Sequence, residues 1–190
     1  MVALPSLDAV ETAAHEAELG GVELRLVHAF GWPSLHVPPG GPPRNPAAAG
    51  VPELLDGTLA AAERRARDVA PRVEIARDAT VGEPVTALET ASRTASLVMV
   101  GSRGLSAFGS LLLGSTSAHL AAHGRCPVLA VRGRRAPDGF VLLAVDNAPA
   151  SEEAVRFAFA EVSLNGGELV ALHACRSGSP DSCDRPIHPS

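Results

Sequence analysis

Five residues carry the spacing with the clearest chemical meaning: Gly101, Gly104, Gly114, Ser115 and Thr116, written G-x-x-G-x9-G-S-T. An apolar, β-branched run at 97–100 precedes them and predicts a buried parallel strand. A helix is expected over 115–123 and a second buried strand over 127–131. Glycine at a strand end lets backbone N–H groups approach an anion with no Cβ in the way. Ser115 and Thr116 fall at a helix start, where unpaired N–H groups and the helix dipole favour phosphate. Strand end, glycine loop and helix tip together predict a phosphate cradle. Within it Arg103 is either an exposed arginine or a fork donor to phosphate.

Other reactive residue types form no comparable pattern. His119 and His123 share a helix face, but the H-E-x-x-H zinc pattern needs Glu where Leu120 stands, so a packed or solvent-facing pair is expected. His28 and His173 read as structural strand residues. His173, Cys175 and Cys183 do not make a convincing metal triad, and no metal site is predicted. The apolar Leu111-Leu112-Leu113 run is expected to make a core or dimer contact, or to cover the loop. No nucleophile–base pair is recognisable, and no paired carboxylates beside the glycine loop would hold magnesium. The expectation is therefore a binding protein, with slow hydrolysis at most and no catalytic residue.

The run from Gly101 to Val131, including Cys126-Pro127-Val128-Leu129, resembles the ATP-binding signature of the universal stress proteins. The resemblance extends over residues 6–174. It implies an α/β fold with a parallel five-stranded sheet, Rossmann-like and of the adenine nucleotide α-hydrolase type, ordered 3-2-1-4-5. It also implies ATP, with or without Mg2+, as cofactor. Val100 would pack on adenine, and Ala29, just after the second strand's apolar core, would line the adenine pocket. Asp146 matches the family's nucleotide-holding Asp at the end of a first strand, or else is a turn residue ahead of a helix. Where the family continues into a small turn with Ser, this chain reads Asp146-Asn147-Ala148-Pro149-Ala150-Ser151.

Composition narrows the function classes. The 190 residues are 46% hydrophobic and 19% charged, as suits a globular chain. A net charge of −5 argues against a general nucleic-acid binder. All 16 basic Lys/Arg residues are arginine, which excludes a Walker P-loop and lysine Schiff-base chemistry. No run of apolar residues is long enough to span a membrane, and no signal peptide is expected. Three unevenly spaced cysteines suggest reduced thiols and a cytoplasmic location.

The elements that must position the glycines alternate in type. A helix is expected over 6–19 and a strand over 22–30. Seven prolines and four glycines over 31–52 predict a long surface loop, of the kind that can serve as a flap over a site. A helix over 53–69, a short strand over 72–77 and a helix opening at Gly82-Glu83-Pro84 complete the first half. Such alternation predicts a mostly parallel sheet covered by helices. Beyond a polar linker at 133–139 come a strand at 140–145, a helix at 150–164, a strand at 168–173 and a Pro/Ser-rich disordered tail.

An internal repeat underlies this order. Ser6, Ala9, Val10, Ala13, Glu16, Leu19, Gly21, Glu23, Leu24, His28 and Ala29 recur 145 positions later, as Ser151 through Ala174, without a gap. The predicted organisation is a tandem chain. It comprises a stress-protein domain at 1–132 lacking its first strand, a linker at 133–139, a partial second domain at 140–174 and a tail at 175–190. The same offset sets Asp146 opposite Met1, so the strand 140–145 has no counterpart in the first copy. The linker would reach about 23–25 Å when extended, too short for a parallel crossover in the same chain. A homodimer, or a dimer exchanging that strand, is the expected assembly. Two functions follow: an ATP-binding stress sensor, or a dimerising regulatory module that has kept the loop and lost the pocket.

Overall fold

A computed structural model describes residues 2–3, 7–30, 51–101, 114–133, 139–145 and 151–173. The chain divides into two compact units, Met1–Arg135 and Ala136–Ser190.

In the first unit, α1 (Leu7–Gly20) buries Ala9, Val10, Ala13, Ala14 and Ala17. That spacing is one face of a 3.6-residue period. Gly21, at φ 62°, ends the helix in the left-handed region that glycine enters without a Cβ penalty. β2 (Leu24–Phe30) follows, then α2 (Val51–Val69) and β3 (Ile75–Val81). Next come α3 (Pro84–Ser92), β4 (Val98–Gly101), α4 (Ser115–His123) and β5 (Val128–Val131).

The expectation that this unit lacks its first strand is corrected. Val2–Ala3 forms a two-residue strand, β1, and the sheet runs β3-β2-β1-β4-β5. Val2 stands opposite Leu26 and Met99, and Ala3 opposite Val27 and Val100, in parallel on both sides. So short a stretch carries no readable alternation, and only its pairing reveals it.

Two apolar layers sandwich the sheet. Leu24, Leu26 and Met99 face the α1–α2 layer with Val10, Leu59 and Ala66. Val27, Val98 and Val100 face the other side and pack with Leu88 of α3 and Leu120 of α4. Adjacent strand residues thus alternate between the layers.

The expected strand at 72–77 is displaced: β3 begins at Ile75. The Arg72 N–H donates to Glu18 Oε1 (2.9 Å) and the Val73 N–H to the Ala70 carbonyl (3.3 Å), which holds 70–73 in a turn. The helix expected from 53 starts at Val51, so residues 51–52 leave the predicted loop, whose remainder lies outside the described residues.

In the second unit, β6 (Val141–Val145) leads towards α5 (Ser151–Asn165) and β7 (Leu169–His173). β6 and β7 form their own parallel pair, Val141 opposite Leu169 and Val145 opposite His173. Residues 141–145 thus pair with β7 in a sheet of their own, and the larger sheet has β1 at its centre. Gly166, the repeat counterpart of Gly21, also has positive φ, 68°. The tail lies outside the described residues. Among the described residues, no helix is long and apolar enough to cross a membrane.

Candidate functional site

The order β3-β2-β1-β4-β5 makes the junction of β1 and β4 the place where successive connections turn to opposite sides. In open parallel sheets, ligands bind outside the strand carboxyl ends at such a switch point. Ala3 ends β1 there, Gly101 ends β4, and Ala29 and Phe30 carry β2 beyond the Ala3 level. Val100 is buried on the face covered by α3 and α4, as is Val27. Alternation puts Ala29 on that same face, two residues nearer the carboxyl edge.

Because β4 and β5 are parallel, α4 returns against them and its amino end lies at this edge. Gly114 is its N-cap, with φ −67° and ψ 156° and no side-chain cap hydrogen bond. Its carbonyl accepts the first helical bond, from the Ala118 N–H at 2.9 Å. The first-turn amides are helix donors with no intrahelical acceptor. Ser115 is exposed, Thr116 half-buried and Ser117 buried. The arrangement suits an anion held by main-chain N–H groups and hydroxyls.

Of the nine expected binding residues, the structure brings Ala29, Val100, Gly101, Gly114, Ser115 and Thr116 to one sheet edge. Arg103, Gly104 and Asp146 lie outside the described residues, as does Leu111-Leu112-Leu113.

The crossover helix is fixed from below. Ser92 Oγ donates to the Glu89 carbonyl (2.7 Å) and accepts from the Arg125 N–H (3.0 Å). Leu120 is fully buried. Gly124 closes α4, and a Cβ there would come within 2.5 Å of the Leu120 carbonyl oxygen. Cys126 stands half-buried beside this turn, and burial pushes its thiol pKa up.

The histidines take structural positions. His119 and His123 stack with ring centroids 4.3 Å apart. His119 Nε2 lies 3.4 Å from Glu89 Oε2, and His123 Nδ1 donates to the His119 carbonyl at 3.1 Å. Among the described residues, no three His, Cys, Asp or Glu side chains are placed to hold a metal ion. His28 on β2 keeps its Nδ1 buried without a hydrogen-bond partner, and burial lowers its pKa. Sequence reasoning gave no sign of that orphaned nitrogen.

A cleft of about 300 Å³ opens at the opposite, amino edge, lined by Val22, Glu23 and Arg25 on one side and Ala95, Ser96 and Leu97 on the other. β1 reaches down only to Val2, so no described strand separates β2 from β4 at that level. The cleft lies at the edge opposite Gly101 and Gly114.

Residues 3–132 match the model of the universal stress protein family. A universal stress protein of Mycolicibacterium smegmatis is 48% identical over 87 residues, 44% of this chain and 30% of that protein. One of Mycobacterium tuberculosis is 34% identical over 179 residues, 87% of this chain and 58% of that protein. The chain thus spans less than two thirds of either relative's length. The crystal structure of a universal stress protein from Archaeoglobus fulgidus superposes with a TM-score of 0.72, at 22% identity. That match covers 95% of this chain and 67% of that one, a likeness of fold. With a family match over residues 3–132 and a sheet order that puts glycines at the switch point, the chain belongs to the universal stress protein family.

Proposed function

We propose that the first unit binds ATP and acts as a nucleotide-responsive module in stress signalling. The observation that carries this is that the β4 end at Gly101 and the amino end of α4, whose N-cap Gly114 brings no side-chain cap, lie at one sheet edge beside the switch point. The amides and hydroxyls of Ser115 and Thr116 would take the phosphates, with Arg103 and Gly104 of the connecting loop completing the signature. Ala29 and Val100 offer the base an apolar floor on one face. Magnesium would arrive with the phosphates, because no carboxylate pair stands at this edge among the described residues. The supporting sequence argument is the spacing of the glycines within a chain of this family. Binding, rather than catalysis, is the activity proposed.

The tandem organisation belongs to the same proposal. The second unit repeats the strand–helix–strand order of β1, α1 and β2, with eleven identities at one offset, and would be a partial second domain. It exposes Phe140, Leu142, Phe159 and Leu172, which favours a homodimer, and the unevenly spaced cysteines favour a cytoplasmic location. Light scattering at several concentrations tests the dimer.

Isothermal titration of about 100 μM protein with Mg-ATP tests the site, at a concentration that detects micromolar binding. Saturable heat at one site per chain is expected. Absence of heat, with melting temperatures indifferent to every nucleotide, would instead favour a regulatory module without a ligand.

A further inference from the structure

β2 outruns the central strand. Ala3 stands opposite Val27, and no described β1 residue pairs with His28, Ala29 or Phe30. β3 holds those three from the other side, opposite Ala79, Thr80 and Val81. The Gly82 N–H adds a bond to the Phe30 carbonyl at 3.0 Å. A strand end paired on one side opens at less cost than the middle of a sheet. Ala29, on the side of the proposed base site, lies within this stretch.

His28 precedes Ala29 and lies on the opposite face. Alternation puts it with Leu24 and Leu26, under α1 and α2. The sides those helices turn to the sheet carry Val10, Ala13, Leu59 and Ala62, none of which can accept a proton. The charged groups around this layer are engaged elsewhere or stand in solvent. Arg77 of β3 is held by Asp56 and Glu63 of α2 at 3.2 and 3.4 Å, and Glu11 of α1 by Arg65 of α2. Asp8 of α1 and Glu53 of α2 are exposed, and β1 brings no charge. His28 Nδ1 is thus buried with no hydrogen-bond partner. A neutral ring tolerates this, but the cation needs an acceptor for its Nδ1 proton, so burial lowers its pKa.

We propose that protonation of His28 releases the carboxyl end of β2 and so lowers the first unit's affinity for ATP in acid. The Nδ1 proton finds an acceptor when the ring reaches water, and the ring reaches water when residues 28–30 leave their place beside β3. Ala29 moves with its neighbour, and the apolar floor offered to the base is lost. Apparent affinity falls in proportion to the chains left in the closed form. Linkage makes the effect reciprocal: ATP, by holding the closed form, makes His28 harder to protonate. This rests on the nucleotide reading above and adds a regulator to it.

Equilibrium dialysis of the full chain with radiolabelled Mg-ATP at pH 7.5 and pH 5.5, beside His28→Leu, tests it. Protonation of ATP itself weakens binding to both proteins alike, so their difference reads His28. The parent is expected to lose at least about threefold more affinity than the variant, against a ceiling of about tenfold for each pH unit by which burial lowers the pKa. NMR of the His28 ring in the parent should show it titrating at lower pH with ATP than without, and this keeps the test decisive if the variant fails to fold. Label retained at pH 7.5 with equal falls in both proteins, or a His28 titration that ATP does not move, overturns the proposal and leaves ATP binding standing. If no label is retained at pH 7.5, the nucleotide reading fails and this proposal falls with it.

Discussion

The backbone N–H of Arg125 donates to the hydroxyl of Ser92 across 3.0 Å and 33 positions of sequence. This one bond ties the end of α3 to the turn between α4 and β5, and so sets the height of the crossover helix. Ser92 is 1% exposed, so water cannot replace it. Ser92→Ala leaves the Arg125 N–H unpaired in a dry site and should cost about 1–3 kcal/mol of stability. Urea unfolding measures this, and an unchanged midpoint would show that the bond has no structural role.

Ser115 separates helix energetics from ligand binding. It is exposed in the first turn of α4. A carboxylate there complements the helix dipole, so Ser115→Glu should leave stability unchanged or raise it by about 0.3–1 kcal/mol. The same charge would repel phosphates, and Mg-ATP affinity should fall at least about tenfold. Calorimetry beside thermal melting reads both signs; a variant that binds ATP as the parent does removes the α4 tip from the site.

His28 predicts acid sensitivity. Burial lowers its pKa below the ordinary 6.5, so the unfolded chain takes up this proton more readily than the folded one. The stabilising contribution is complete above about pH 6.5, shrinks as pH falls towards the folded pKa, and then levels off. His28→Leu should lose less stability than the parent between pH 7.5 and pH 5.5. Parallel losses in urea titrations would contradict the assignment.

Cys126 should react slowly. Its thiol pKa is pushed up by burial, and the thiolate is the nucleophile. Iodoacetamide at pH 7.5, followed by mass spectrometry of the Cys126 peptide, should show faster labelling in urea than in buffer. Equal rates would mean that the thiol is open to solvent in the folded chain.

Some positions were legible because the chemistry that sets them is local. Helix α4 begins and ends where expected, at Ser115 and His123, with Gly114 before it and Gly124 after it. The amphipathic face of α1 and the turn at Gly21 follow from side-chain period and from a backbone angle that glycine accepts. Such constraints act over a few residues, and a linear string contains them.

Other positions are set by partners distant in sequence. Val2 and Ala3 gain strand geometry from Leu26 and Val27 on one side and Met99 and Val100 on the other. β3 starts at Ile75 because Glu18, on another helix, holds the Arg72 amide in a turn. The sequence by itself determined which residues could cradle an anion: glycines at a strand end, hydroxyls at a helix start. Only the tertiary structure decided how far the central strand slides between its neighbours, because register is a sum of hydrogen bonds and packing contacts across the whole sheet.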